Sequence, residues 1–209
     1  MSAARGLNAA CAAALAGGAL LVAASPGVAA GKRVVFGSSL SQPPTETAAP
    51  ATCDTTGSSR DIGKCTRVAL GFPATGRAKG GARAPVGGVI RRIRIRSAVA
   101  GTIRVTLARV RKLDRDAARG QGRAVSKGAL LRVRGRGLKS HGAVESFRVH
   151  LRVHRGDYLA LRGASFGMLR CQGGDVEQLV FIPPLRAGKG FRTSSGFDSC
   201  TALVQAVIR

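Results

Sequence analysis

From Arg92 onward, apolar and polar side chains alternate with a period of two. Ile93 and Ile95 sit between Arg92, Arg94 and Arg96, and Ile103, Val105 and Leu107 alternate with Arg104, Thr106 and Ala108. Leu131 and Val133 stand against Arg132 and Arg134, while Phe147, Val149, Leu151 and Val153 alternate with Arg148, His150, Arg152 and His154. Successive side chains of a strand point to opposite faces, so each segment has one apolar side and one cationic or neutral side. Shorter strands are predicted at Lys32 to Phe36, Thr66 to Phe72, Tyr158 to Leu161, Leu179 to Ile182 and the β-branched run Thr201 to Ile208. Arg155-Gly156-Asp157 reads as a turn, Gly supplying the unusual backbone angle and Asp a local hydrogen bond.

The intervening segments predict loops. Gly37 to Gly63 is rich in Ser, Thr, Pro and Ala, and Pro43, Pro44 and Pro50 have no amide to give a sheet. Pro73 to Gly88 is Gly-rich and basic, and Lys112 to Gly128 is charged without an apolar stripe. Eight or nine short strands without a helix predict an all-β fold. The expected form is a two-layer antiparallel β-sandwich, jelly-roll-like, with an immunoglobulin-like arrangement as the alternative. The expected division is a secretory signal at 1–30, a strand and Ser/Thr/Pro-rich arm at 31–63, and the sandwich at 64–209. The signal reading rests on Arg5, the Ala/Leu/Val run from Cys11 to Ala24, the break at Pro26-Gly27 and the small residues Val28-Ala29-Ala30. That run is too short and too rich in Ala for a membrane span, and nothing later in the chain replaces it.

Gly88-Val89-Ile90, followed by the Arg/Ile strand, and the stretch Leu151-Arg152-Val153-His154-Arg155-Gly156-Asp157-Tyr158-Leu159-Ala160-Leu161 carry a resemblance. The chain resembles exported, functionally uncharacterised β-sandwich proteins of high-GC bacteria. Its second stretch is similar to the strand, Gly-Asp turn, strand corner of jelly-roll modules. The resemblance implies a fold class and brings no catalytic residue with it.

Charge changes the picture more than composition does. Among 209 residues, 34 Lys and Arg face 10 Asp and Glu, a formal charge of +24; removing residues 1–30 takes one Arg and no acid, leaving +23. With 44% hydrophobic residues the chain is too apolar for a disordered polycation. A GC-rich codon bias accounts for Arg over Lys but not for the shortage of acids. Without the signal's Cys11, the cysteines are Cys53, Cys65, Cys171 and Cys200, an even number suited to disulfides in an oxidising compartment. Three pairings exist, and the simplest joins Cys53 to Cys65 and Cys171 to Cys200.

These features predict a secreted or extracytoplasmic protein. Arg92, Arg94, Arg96, Arg104, Arg132, Arg134, Arg148 and Arg152 are expected to leave the core faces together, in one exposed layer that wants counter-anions. An anionic polysaccharide or cell-envelope polymer is the expected partner. Nucleic acid is expected to bind only non-specifically, because one Tyr, seven Phe and no Trp leave few stacking platforms. No cofactor and no metal is expected. Cys-x-x-Cys pairs are absent, and His150 and His154 would lie ~13 Å apart on a strand, with Leu151 where a zinc protease carries Glu. His141 stands in a Gly-flanked loop, Ser194-Ser195-Gly196 has no base partner, and the glycines of Gly57 to Cys65 are wrongly spaced for a phosphate loop. The expectation is therefore a non-catalytic protein. The alternatives are a secreted carbohydrate-active enzyme using Asp175 and Glu177, ~7 Å apart on one strand face, and a structural surface domain without a dedicated ligand.

Overall fold

The structure, a computed structural model, describes residues 33–45, 51–53, 64–71, 81–114, 116–135, 142–171 and 177–209. The expected signal at 1–30, with its Cys11, lies outside the described residues, as do His141, Asp175 and most of Gly57 to Cys65. Within them the protein is all β. The smaller sheet runs β1 (Val34–Gly37), β16 (Val204–Ile208), β4 (Gly88–Ser97), β8 (Ala143–Val153), every pair antiparallel. The larger runs β13 (Arg192–Thr193), β6 (Arg119–Ala124), β5 (Gly101–Asp114), β9 (Tyr158–Gly163), β3 (Cys65–Ala69), β12 (Gln178–Phe181), β14 (Gly196–Asp198), with β7 (Ala129–Val133) also on β5. Two ribbons complete it, β2 (Ala51–Thr52) with β10 (Ser165–Phe166) and β11 (Leu169–Cys171) with β15 (Cys200–Ala202).

The chain alternates between these sheets. It passes from β1 to β3, back to β4, across to β5 with β6 and β7, back to β8, across to β9 and home to β16. Orders 1-16-4-8 and 6/7-5-9-3 for the two layers are jelly-roll connectivity, which removes the immunoglobulin-like alternative. The alternation read from the sequence places the core. Ile90, Ile93, Ile95, Val204 and Ala206 from one sheet meet Val105, Leu107, Leu159, Leu161 and Val180 from the other, all essentially without solvent exposure. Both expected disulfides are formed, Cys53–Cys65 and Cys171–Cys200, across 12 and 29 residues of sequence. Each restricts the unfolded chain, by about 3 kcal/mol in a loop-entropy account.

Two segments differ from expectation. Lys112 to Gly128, expected as a loop, is mostly strand: β5 continues to Asp114 and returns through a turn as β6. Thr201 to Ile208, expected as one strand, divides at Leu203, because its halves pair in different sheets. The larger sheet also curls. One segment pairs with both of its edges, β13 with β6 and β14 with β12, so the edges meet around a second cluster containing Val68, Ala160, Leu179 and Phe181. Gly120 and Gly122 make that approach feasible: an added Cβ would meet Leu179 Cδ1 at 2.7 Å or Phe181 Cζ at 2.6 Å. Gly122→Ala is therefore expected to lower stability by about 1–3 kcal/mol through overpacking. The measurement is the thermal midpoint, and adding Phe181→Leu should recover part of the loss.

Candidate anion-binding surfaces

The eight arginines do leave the core faces, but from both sheets, so the expected single layer is corrected. Arg92, Arg94, Arg96, Arg148 and Arg152 stand on the four-stranded sheet, Arg104 and Arg132 on the larger one, and Arg134 just past the end of β7. The physical reason is the connectivity: successive alternating strands go to opposite layers, so their polar faces point in opposite directions.

Their roles divide as well. Arg96 clips backbone, donating to the carbonyls of Leu40, Ser41 and Gly142 at 2.8–3.0 Å. Arg94 donates to Gln205 Oε1 at 2.8 Å. Arg134 contributes its amide, which with that of Gly135 holds the Glu145 carboxylate. Arg132 and Arg152 are exposed opposite Thr102 and Val89. Arg92 and Arg148 face each other directly across β4 and β8.

Around that pair lies a shallow hollow of about 480 Å³, into which Arg33, Arg91 and Arg209 also project over Val207. A register shift between Ile90 and Arg92 adds Arg91 to this face, where its Nη1 donates to His150 Nδ1 at 2.6 Å. A second hollow, of about 570 Å³, opens beside the curled sheet. Arg104 and Arg162 face each other across β5 and β9 there, joined by Lys64, Lys127 and Arg186. Among the described residues, neither hollow is lined by an acid. Among the described residues, no carboxylate forms an ion pair with the guanidinium group of Arg92, Arg94, Arg104, Arg132, Arg134, Arg148 or Arg152.

A third facing pair, Arg109 with Arg123, shows how the fold neutralises such contacts when it does so itself. Arg109 donates through Nε and Nη2 to Oδ1 of the buried Asp157 at 3.1 and 2.9 Å, and Arg123 lies 4.8 Å from the centre of the Phe191 ring. Asp157 Oδ2 accepts from the His154 amide at 2.9 Å, and Gly156 has φ +89°, so Arg155-Gly156-Asp157 is the expected turn with its carboxylate turned inward.

The remaining candidates are structural in their surroundings. Glu177 is buried before β12, its amide and carbonyl bonded to Asp198 and Leu70, and it lines neither basic hollow. Ser195 Oγ donates to the Ile182 carbonyl and accepts from its amide, and Ser194 Oγ accepts from the Gly120 amide. Cys171, Asp198 and Cys200 converge at metal-ligand distances, but the two sulfurs are bonded to each other. Arg67, a cation within the sandwich, pairs with Asp198 beside the Phe166 ring.

The fold and these surfaces define a disulfide-bridged jelly-roll sandwich with basic hollows on both layers. No family model matches the chain, and no curated protein or solved structure matches it either. Asp157→Ala is expected to cost about 2–3 kcal/mol, because it strips the bidentate partner of Arg109 and the cap of the turn. Urea unfolding checks this, with an unchanged denaturant slope.

Proposed function

We propose that the chain is an exported, non-catalytic β-sandwich that associates with anionic envelope or extracellular polymers through its arginine-rich faces. One observation carries the reading: Arg92 and Arg148 are held side by side on an outer sheet face, with Arg33, Arg91 and Arg209 around them and, among the described residues, no acid in the hollow. Like charges directly opposite in a ladder destabilise it, and an external polyanion removes that penalty when it binds. The disulfides support a location outside the reducing cytoplasm. Among the described residues, no helix is long and apolar enough to cross a membrane.

Affinity in this reading comes from many exposed ionic contacts, so it falls steeply with salt. Binding to immobilised polygalacturonate is expected to weaken roughly tenfold or more between about 50 and about 200 mM salt. Replacing Arg92 and Arg148 with Gln should weaken binding at low salt and flatten the salt dependence by about one unit or more of log–log slope. Salt-independent retention, or a double variant indistinguishable from wild type, overturns the proposal.

A further inference from the structure

The two basic hollows differ in what accompanies the charge. The one on the four-stranded sheet combines guanidinium groups with the aliphatic Val149 and Val207 and, among the described residues, has no hydroxyl side chain in its lining. The one beside the curled sheet adds Thr102, Thr106 and Ser126 to its cations, together with Leu130 and Leu185. Two of these hydroxyls are fixed in place. Thr106 Oγ1 lies 2.8 Å from the Ser126 carbonyl and 3.1 Å from Ser126 Oγ, which accepts from the Leu107 amide at 3.2 Å. A hydroxyl offers one proton and two lone pairs, so the half-buried Ser126 keeps capacity for a ligand while the buried Thr106 holds it in place. Thr102 is exposed at the same hollow, and Leu130 is 61% exposed.

We infer that this hollow is a binding site for a saccharide segment carrying two or more anionic groups. The inference rests on the reading of the chain as an anion binder but uses the opposite layer of the sandwich. Arg104 and Arg162 face each other from neighbouring strands, while Lys64, Lys127 and Arg186 arrive from three other segments, which spreads positive charge around the hollow. Carboxylate or sulfate groups answer those cations. The Ser126 and Thr102 hydroxyls answer the hydroxyls of a sugar, and the exposed Leu130 offers aliphatic surface to its C–H faces. Inorganic polyphosphate would use the cations and leave the rest idle. A volume of about 570 Å³ falls in the range of small-ligand pockets, so the site holds a short segment and not a long chain.

Calorimetric titration tests this with trigalacturonate and sucrose octasulfate as anionic saccharides, maltotriose as the neutral sugar and tripolyphosphate as charge without sugar. The expected result is one saturable site for at least one anionic saccharide, no binding of maltotriose and weaker binding of tripolyphosphate. Whichever saccharide binds more tightly assigns carboxylate or sulfate. Arg104→Gln with Arg162→Gln should weaken that saccharide at least tenfold. Ser126→Ala should weaken the saccharide more than tripolyphosphate. Lys127→Gln, at an exposed rim position, supplies a variant free of any folding defect in the double mutant. Tripolyphosphate binding as tightly as the saccharides, or wild-type saccharide affinity in both the double variant and Lys127→Gln, overturns the inference. Retention on polygalacturonate resin, measured in parallel, separates the two proposals. If it survives while saccharide titration fails, only the hollow is lost; if resin binding fails as well, both readings fall.

Discussion

Arginine facing arginine across antiparallel ladders is the constraint from which the surface of this protein follows. Each strand must give its apolar alternate positions to the core, and in this sequence the other positions are so often Arg that neighbouring strands bring them together. Among the described residues three such pairs occur, Arg92 with Arg148, Arg104 with Arg162 and Arg109 with Arg123. Each costs on the order of 0.2–1 kcal/mol if left alone. The third is relieved within the fold, by Asp157 on one side and the Phe191 ring on the other. The first two sit in hollows where no described residue is an acid, which leaves room for relief by solvent ions or a ligand.

Where the polar half of the pattern faces solvent, the sequence is transparent. Strands β4, β7 and β8 and the first half of β5 are legible in the alternation of Ile, Val, Leu and Phe with Arg, because one face of each is core and the other is not; from Thr106 to Ala108 both faces of β5 are buried. The β6 strand is not legible, since Gly120 and Gly122 yield their space to Leu179 and Phe181, which come from a strand almost sixty residues later. Thr201 to Ile208 is buried nearly throughout, so no period marks the point where the chain changes sheets. Arg67 defeats the pattern in another way. It occupies a core-facing position of β3 as a charged residue, made tolerable by Asp198 and Phe166, neither of which is near it in sequence.

The composition of the hollows shows the same division. Arg92, Arg104 and Arg148 are recognisable from strand periodicity. Arg33 and Arg209 flank the first and last strands, Arg91 joins through a bulge, and Lys64 and Arg186 lie outside strands altogether. Tertiary assembly alone makes them neighbours. A list of alternating arginines therefore finds the centres of the basic surfaces and misses their rims.

Placement on two layers also changes what the charge can do. The hollows lie on different sheets of one sandwich, whose packed layers are separated by about 10 Å of apolar core. A stiff polyanion lying along the four-stranded sheet cannot also lie along the larger one, so the positive charge does not act as one extended patch. On the proposed reading, occupation of one hollow leaves the other open, and a single molecule has the geometry to touch two anionic chains at once. Association with a polymer matrix then gains from effective concentration, because a molecule released by one chain is still held by the second.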